Sequence, residues 1–519
     1  MRKFLFCSSA ILALSIALAA QAQETQKTRS TVGQSLTPPA YSNARMEGAL
    51  IPFPLPKGAE AYGDIDGKAI HQYVVDLAQI SRRYRDSGHP KFWGRITGTT
   101  GERETDQWLT GKLHAIPGLT DIRIQELPLP PQWFPKSWNV TLTSGGKSIQ
   151  LDSAQPDYDS AALPAGGVEL DAVYAGLGTD ADFVGKDVKG KAVFVYGMQG
   201  LANLDAVKRA DRLGAAVVFE VSMLPGNMRY QAYPSGTKAP AFTVGNDDGT
   251  AARNMIAAAG TGVPAKVKVS LDTEKLPGLH STMVWATLPG ATDETIYITA
   301  HKDGWFEGSG DNAGGVASTL GILQHFAKIP QAKRKRTIVF IALDAHHNLD
   351  NQRNGGVGDH WLSLNKAKLF TKTALMINNE HPSTVTTQSR PRYYPGDEIA
   401  WGNTYMPLEW YAGGKQRPEL NKIVWNTFRE FGVPLEMDAS PTPPASDMSM
   451  LAVDVPDFER DIAGIDAGEY HNYFHTDWET PETVPWTGLE AVTRAYAKII
   501  DQVNEMPLDK LQLPKSAMK

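Results

Sequence analysis

Three apolar runs in the second half of the chain end in polar side chains of the types that bind metals. The runs are followed by residues 301–303 (HKD), 344–347 (DAHH) and 378–381 (NNEH). In open α/β sheets the ligand site lies beyond the carboxyl ends of the strands, so we expect these clusters to converge. Asp311, which opens a helix after a glycine-rich turn, and the segment from His471 to His475 are candidates for the same site.

The donors available to such a site are histidine nitrogens and carboxylate oxygens. The only cysteine, Cys7, lies in a segment that we expect to be removed. A site without sulfur suits zinc, and also manganese, cobalt or iron. Asp303 stands two positions after His301, where its carboxylate can orient a metal-binding imidazole.

The chain begins with features of an export signal. Residues 1–22 start with Arg2 and Lys3, continue through an apolar stretch and end in Ala20-Gln21-Ala22. This pattern predicts a cleaved signal peptide, and therefore a periplasmic or secreted protein. The apolar stretch is interrupted by polar residues, and no other segment is apolar and long enough to span a bilayer, so we expect no membrane span.

Composition limits the classes of partner. The chain has 519 residues, 51 basic and 57 acidic. Without Arg2 and Lys3 the balance is 49 basic to 57 acidic residues, a net charge of −8, which argues against a nucleic-acid or anionic-membrane partner. At about 100 to 200 residues per domain, the length predicts more than one domain.

The positioning elements alternate in type along the chain. After the signal peptide, residues 23–63 are polar and proline-rich and read as a strap or linker. The pattern predicts helices at 65–86, 103–115, 314–326 and 489–503, with irregular structure at the prolines of 127–135. It predicts strands at 191–196, 216–221, 240–244, 282–288, 295–299, 337–343 and 373–377.

These elements suggest three structured parts. Residues 64–154 form a first part, 155–275 a glycine- and alanine-rich module with short strands, and 276–519 an alternating strand and helix unit. Such alternation is typical of an open α/β sheet covered on both faces. The middle module has no cluster of histidine and acidic residues at ligand spacing and reads as a binding or lid module.

A dinucleotide site is an alternative for the glycine-rich turn. Residues 308–314 match G-x-G-x-x-A, but that pattern should follow a strand directly and be followed by an acidic ribose ligand. Here the turn does not directly follow the strand. The basic segment 333–336 stands near the position where the acidic ribose ligand is expected. The turn is not followed by a lysine and a serine or threonine, so it does not match a phosphate-binding loop either.

The motif stretches at residues 300–303 and 310–317 resemble those of the zinc aminopeptidase-like metallopeptidase family twenty-eight, which includes carboxypeptidase Q and glutamate carboxypeptidase II. Residues 187–191 and 212–215 resemble the protease-associated domain inserted in many members. The similarity covers residues 65–505. It implies a three-layer, open mixed sheet of the zinc-peptidase type with a β-rich insert at 155–275.

The resemblance also implies roles for individual residues. His301 and Glu380 match ligands of a first metal, and Asp311 matches the carboxylate that bridges two metals. His475 matches the last histidine ligand, and Asp303 the residue that orients the first histidine.

The sequence departs from the family where two consecutive glutamates are expected, because His346 and His347 stand there. His347 can still bind the second metal through a neutral imidazole, together with Asp311 and His475. One or two zinc ions, or another divalent metal, are therefore expected. His346 takes the place of the general base, and an imidazole can transfer protons near neutral pH. The alternative is that His346 is a structural residue in a site that no longer hydrolyses peptides.

The leading hypothesis is an exported metal-dependent hydrolase that cleaves a peptide or small amide, of the aminopeptidase or carboxypeptidase type, with an atypical histidine pair. One alternative is a non-catalytic or altered-chemistry relative that binds metal or peptide. Another is a metal-dependent acyl-transfer enzyme like the single-zinc glutaminyl cyclases, which share the fold. Those enzymes keep a glutamate at the position of His347, so this alternative ranks last.

Overall fold

In a computed structural model of the chain, the structure is described for residues 53–197, 204–224, 226–260, 262–347, 356–391, 397–403, 410–411, 416–433, 447–466 and 473–518. The predicted signal peptide, residues 23–52 of the predicted strap, and His471 lie outside these ranges. No helix among the described residues is long and apolar enough to cross a membrane.

The helices and strands of the described residues are numbered in chain order. The helices are α1 (Gly67–Asp86), α2 (Thr100–His114), α3 (Asp180–Phe183), α4 (Leu204–Arg212), α5 (Asn246–Ala259), α6 (Gly314–Ala327), α7 (Val357–Leu369), α8 (Pro418–Glu430), α9 (Trp486–Asn504) and α10 (Leu508–Leu511). The strands are β1 (Gly94–Arg95), β2 (Thr120–Pro128), β3 (Gln132–Ser144), β4 (Lys147–Gln150), β5 (Gln155–Pro156), β6 (Val168–Tyr174), β7 (Ala192–Tyr196), β8 (Val217–Val221), β9 (Ala241–Val244), β10 (Lys266–Leu276), β11 (His280–Leu288), β12 (Thr295–His301), β13 (Gly304–Trp305), β14 (Thr337–Leu343), β15 (Thr373–Asn378), β16 (Val385–Pro391), β17 (Asp397–Asn403), β18 (Trp410–Tyr411), β19 (Arg460–Ile462), β20 (Gly464–Asp466) and β21 (Gln512–Pro514).

A mixed sheet forms the centre of the molecule. Among the described residues it has seven strands in the order β18-β20-β15-β12-β14-β11-β2. Strand β12 pairs in parallel with both β14 and β15, and β15 pairs in parallel with β20. Strands β2, β11 and β18 run antiparallel to their neighbours. The carboxyl ends of β12, β14 and β15 therefore lie side by side.

Both faces of this sheet are buried, as expected for parallel strands covered by helices. On β14, Phe340 belongs to the core formed with α1, α6 and α9, whereas the next residue, Ile341, belongs to the core on the other face, formed with α7. Helix α1 begins at Asp66, whose side chain accepts hydrogen bonds from the backbone of Lys68 and Ala69, the usual role of an N-cap aspartate. The mixed α/β class predicted from the sequence is confirmed.

A second sheet has eight strands among the described residues, in the order β4-β3-β10-β6-β7-β8-β9-β5. Strands β6 to β9 are parallel, and β7, β8 and β9 are buried almost throughout and carry stacked aromatic rings at Phe194, Phe219 and Phe242. The long antiparallel pair β3 and β10 joins this sheet as well. The sheet therefore begins before residue 155, where the sequence placed the start of the inserted module.

The prediction of irregular structure at 127–135 is confirmed for residues 129–131 and is wrong for the residues on either side. Strand β2 continues to Pro128, and β3 runs from Gln132 through Pro135. Proline is tolerated here because β2 is an edge strand, where a missing N–H costs no ladder bond, and because the β3–β10 register shifts next to Pro135. The other predicted strands and helices are found with ends within a few residues of those expected.

Candidate metal centre

The predicted polar clusters meet at one edge of the central sheet. In the parallel register His301 lies beside Leu343, and Thr299 lies beside Asn378. The residues that follow β14 and β15 therefore lie next to the end of β12. Helix α6 begins close to them because Gly315 has no side chain: a Cβ there would lie 1.8 Å from the carbonyl oxygen of Asn379.

One set of donors surrounds Oδ1 of Asp311. Nε2 of His301 lies 2.9 Å from this oxygen, and Nε2 of His381 lies 3.0 Å from it. Oε1 of Glu380 is 3.6 Å from the His301 nitrogen and 3.9 Å from the His381 nitrogen. All four residues are buried. We call His301, Asp311, Glu380 and His381 the first group.

A different set surrounds the other oxygen of the same carboxylate. Nε2 of His347 lies 3.0 Å from Oδ2 of Asp311, and Nε2 of His475 lies 2.8 Å from it. The two histidine nitrogens are 3.2 Å apart. We call Asp311, His347 and His475 the second group. Asp311 thus presents one oxygen to each group, which is the arrangement expected of a carboxylate shared by two cations.

The donors of both groups fit a metal ion. Oδ1 of Asp311 and Nε2 of His301 are buried, and neither has a hydrogen-bond partner within the described part of the chain, although they lie 2.9 Å apart. Buried polar atoms are normally hydrogen-bonded, so lone pairs left in this way indicate a ligand that the protein atoms do not supply. Imidazole nitrogen and carboxylate oxygen suit zinc and its neighbours among the divalent metals.

Asp303 supports the histidines from behind. Its Oδ2 lies 2.9 Å from Nδ1 of His347 and accepts the His347 backbone N–H at 3.0 Å. The Nδ1 atom of His301 lies 3.2 Å from the Asp303 carbonyl oxygen and 3.5 Å from its Oδ1. Both rings therefore turn Nδ1 to Asp303 and Nε2 to Asp311. Such outer partners fix the tautomer and the orientation of metal-binding imidazoles.

The carboxylates of the first group are ionised. Burial by itself raises the pKa of Asp311, but His347, His381 and His301 outweigh it and hold that pKa well below its ordinary value. Burial also raises the pKa of Glu380, and the surrounding histidines outweigh it and lower that pKa to about 2. Oε2 of Glu380 accepts a hydrogen bond from Asn378 at 2.6 Å. Ionised carboxylates are the form that binds metals.

The histidines differ in charge. Burial lowers the pKa of His475 to about 3, so this ring is neutral. Burial opposes protonation of His347 and His381 too, but the charge of Asp311 outweighs it and raises the pKa of each to about 9. A cation between these residues competes with their protons, so binding of a metal releases protons.

His346 lies beside the first group but points its Nδ1 elsewhere. That atom is 2.8 Å from Oδ1 of the buried Asp447, and Nε2 is 3.9 Å from Oε1 of Glu380. The ring stacks on His301, with centroids 4.3 Å apart. Its side chain remains 13% exposed, more than those of the residues in either group. A molecule that enters the site can therefore reach His346.

Glu479 holds two of the donors in place through their backbones. Its Oε1 accepts the N–H of Asp311 at 2.5 Å, and its Oε2 accepts the N–H of His475 at 3.0 Å. Glu479 is buried, with 1% of its surface exposed. One carboxylate therefore fixes the distance between the bridging aspartate and the histidine that arrives from the C-terminal segment.

Arg95 organises the loop between His301 and Asp311. Its guanidinium is fully buried and donates to the carbonyl oxygens of Lys302 (2.9 Å), Glu307 (2.5 Å) and Gly308 (2.9 Å). Burial lowers the pKa of Arg95 to about 10, which still leaves it charged at neutral pH. The planar fork of arginine matches several carbonyl groups at once.

The second sheet contributes to the site through residues 229–233. Tyr230 forms an antiparallel bridge with Thr476, and the N–H of Gln231 donates to the carbonyl oxygen of His475 at 2.9 Å. The ring of Tyr233 lies 4.8 Å from that of His475, between centroids. The predicted module therefore lies against the second group.

The sequence placed His301, Asp303, Asp311, His346, His347, Glu380 and His475 at this site, and the structure brings all of them together. It did not assign a role to His381, Asp447 or Glu479. The sequence could have identified His381, because this residue stands next to Glu380 in the same polar cluster. Asp447 lies 101 residues from His346, and the two hydrogen bonds by which Glu479 holds the donors go to backbone groups, so the sequence did not point to either residue.

Comparison with known proteins finds similarity to one protein family and to several solved structures. Residues 283–500 match the profile of Peptidase family M28. Similar solved structures include an M28 peptidase precursor from Shewanella amazonensis SB2B (18% identity, TM-score 0.59, covering 85% of this chain and 98% of that one). They also include BSAP, a zinc aminopeptidase from Bacillus subtilis (16% identity, TM-score 0.57, covering 86% and 98%), and an aminopeptidase from Aneurinibacillus sp. strain AM-1 (18% identity, TM-score 0.51, covering 85% and 95%).

At these identities the likeness to solved structures establishes the fold. None of the curated proteins compared with the chain matches it. Residues 283–500 of the chain therefore match Peptidase family M28, and the chain has the fold of these aminopeptidase structures.

Proposed function

We propose that the chain is an exported metal-dependent hydrolase that cleaves a peptide or small amide, of the aminopeptidase or carboxypeptidase type. The observation that carries this proposal is the shared carboxylate of Asp311, which faces two histidine nitrogens with each oxygen, at 2.8 to 3.0 Å. The Peptidase family M28 domain supports hydrolysis of an amide bond as the reaction.

The residues of the first and second groups would hold the metal, with zinc as the expected ion and other divalent metals as alternatives. When bound, such an ion polarises a carbonyl and lowers the pKa of a water molecule, toward about 7 for zinc. The protein's own contribution is to hold the donors in place. Asp303 does so through the imidazoles, and Glu479 through the backbones of Asp311 and His475.

Proton transfer is assigned to His346. Its Nδ1 faces the carboxylate of Asp447, which can only accept, so Nδ1 carries a proton and the lone pair lies on Nε2. That nitrogen is 3.9 Å from Oε1 of Glu380 in the first group, and the His346 ring lies 5.3 Å from the ring of His347 in the second group, between centroids. Nε2 can therefore accept a proton from a nucleophilic water and return it to the departing amine, which is the task of a general base and acid in amide hydrolysis.

Asp447 is supported in turn by Asp359. Burial and the neighbouring charge of Asp447 raise the pKa of Asp359 well above its ordinary value. Asp359 is therefore the member of this buried pair whose protonated form is favoured. An orienting carboxylate stands behind the catalytic imidazole in other hydrolases as well.

The second sheet supports a role in substrate binding for the module predicted at 155–275, which we take to be a protease-associated domain. Residues 229–231 are fixed to residues 475–477 by backbone hydrogen bonds, and the ring of Tyr233 contacts that of His475. A substrate at the second group would therefore lie next to side chains of this module.

The direct test is turnover on a panel of dipeptides, aminoacyl amides and N-acyl amides, with protein loaded with zinc. We expect turnover that a chelator abolishes, that zinc restores, and that D311N lacks. D171N, which alters an ion pair with Lys266 in the second sheet, is the matched control and should keep activity. A fully loaded protein that leaves the whole panel intact would contradict the proposal and favour a non-catalytic relative that binds metal or peptide.

A further inference from the structure

The two groups differ in the number of protein donors. The first group has four residues and the second group has three, and Asp311 is counted in both because it presents Oδ1 to the first group and Oδ2 to the second. We propose that His381 is a fourth protein ligand of the first metal position, so that this position is closed and only the second accepts an exogenous ligand. This inference rests on the metal centre of the proposed function. It further specifies that the second of the two metal positions receives the substrate or the nucleophilic water.

His381 is as well placed as the histidine predicted from the sequence. Its Nε2 is 3.0 Å from Oδ1 of Asp311, against 2.9 Å for Nε2 of His301, and both nitrogens lie within 3.9 Å of Oε1 of Glu380. The His381 side chain is 4% exposed. Its nitrogen therefore lies among the donors of the first group and away from bulk solvent.

The backbone of His381 is fixed in the conformation that places the ring there. Its φ angle is 45°, in the left-handed region. Such a conformation is strained for a residue other than glycine and persists only where the surroundings impose it. The N–H of His381 donates to Oδ1 of Asn312 at 3.2 Å, and the ring contacts Phe474, with centroids 5.5 Å apart. Asn312 directly follows Asp311, so the bridging aspartate and His381 are positioned together.

The second group has no comparable fourth donor among the described residues. The carboxylate of Asp303 also contacts this group, but it faces Nδ1 of His347, on the opposite side of the ring from Asp311. In zinc proteins, four protein ligands are typical of closed structural sites, and three are typical of catalytic sites that keep one position open. The unequal groups therefore predict one closed and one open position.

The donor set also bears on the choice of metal. Each group includes two imidazoles, and the two groups share the carboxylate of Asp311. Imidazole suits zinc, copper, iron and nickel, whereas carboxylate and water suit magnesium and manganese, and sites of this kind generally bind Co²⁺ more tightly than Mn²⁺. We therefore expect the first position to bind Zn²⁺ or Co²⁺ more tightly than Mn²⁺.

The test is a titration of the metal-free full chain with Co²⁺, followed by visible absorption, and with Zn²⁺ in competition with a chromophoric chelator. Wild type should bind two ions with unequal affinity. H381A and H381Q should weaken the tighter ion by about tenfold or more, since loss of an outer partner alone costs about 10- to 100-fold. H360A removes an exposed histidine on α7 and should match wild type.

Azide separates the open from the closed position, because this small anion binds a metal only where a coordination position is open. In the Co²⁺ form of H347A, which retains the first group, azide should leave the absorption spectrum unchanged, and in wild type it should change it. Equal affinities in H381A, H381Q and H360A, or an azide response in H347A, would overturn the inference.

Thermal melting shows whether each variant is folded before titration. If H381A does not fold, the longer amide side chain of H381Q and the azide response of H347A still decide the question. Unequal binding that depends on His381, together with no turnover on the substrate panel, would uphold this inference and refute the proposed hydrolase. Turnover on the panel without any effect of the His381 variants on metal binding would uphold the proposed hydrolase and refute this inference.

Discussion

Nδ1 of His347 lies 2.9 Å from Oδ2 of Asp303, while Nε2 of the same ring faces Asp311 at 3.0 Å. The Asp303 carboxylate also accepts the backbone N–H of His347. Ring and backbone are thus fixed by one side chain. Because the carboxylate accepts a hydrogen bond from Nδ1–H, the lone pair of the neutral ring lies on Nε2, where a metal would bind.

D303N should therefore weaken metal binding without removing a ligand. An asparagine can turn its amide N–H toward Nδ1 of His347, which favours the wrong tautomer, and it removes a negative charge. We expect zinc affinity to fall about 10- to 100-fold, measured by competition with a chromophoric chelator. D171N in the second sheet is the control. Equal affinities for the two variants would show that Asp303 does not orient the ligand.

E479Q tests whether the backbones of Asp311 and His475 need a common acceptor. A glutamine is neutral and has one acceptor oxygen, so one of the two N–H groups loses its acceptor and the other keeps only an uncharged one. Loss of a hydrogen bond to a charged group costs about 1.5 to 3 kcal/mol. We expect weaker metal binding at the second group in the Co²⁺ titration.

The control for this variant is E482Q, three positions further along the chain. This carboxylate makes neither of the backbone bonds of Glu479, so E482Q should bind metal like wild type. If E479Q and E482Q bind Co²⁺ equally, the donors are held by other contacts.

R95K should destabilise the fold through the loop at residues 302–308. A lysine cannot donate to three separate carbonyl groups in the plane of the guanidinium, so buried carbonyl groups lose their partners. We expect the free energy of unfolding to fall by about 2 kcal/mol or more, measured by chemical denaturation. R83K, at an exposed pair with Glu104, should change stability by no more than about 0.5 kcal/mol. Similar losses in both variants would refute this role for Arg95.

H346Q separates proton transfer from metal binding. Its side chain is outside both groups, so metal content should match wild type, whereas turnover should fall by about 10²- to 10⁴-fold if the imidazole is the general base. The measurement combines metal analysis with kcat on the best substrate of the panel. Unchanged kcat would make His346 a structural residue, and lost metal would make it a ligand.

Much of the fold was predictable because apolar runs and caps are local features. The run at 337–343 is rich in β-branched residues, and it forms β14. The strand residues at either end of 127–135 were not predicted, and the reason lies in the tertiary structure. Proline is not tolerated in the middle of a central strand, but it is tolerated in an edge strand. Whether a strand lies at an edge depends on its partners, which the local sequence does not reveal.

The site was predictable where strand ends carry the donors. His301 and Glu380 follow parallel strands, whose carboxyl ends meet at one edge, so their approach followed from the element pattern. His381 was overlooked because the family resemblance assigns only one ligand in this cluster. The partnership of His346 with Asp447 depends on a contact across 101 residues that no spacing rule provides.

Anomalous X-ray scattering at the zinc edge, from crystals soaked in Zn²⁺, tests the central claim most directly. We expect one peak within about 2.0 to 2.2 Å of ligand atoms from the first group, and another at the same distances from the second group, with Asp311 contacting both. Peaks elsewhere, or none near Asp311 in crystals shown by metal analysis to contain zinc, would contradict the metal centre described for this chain.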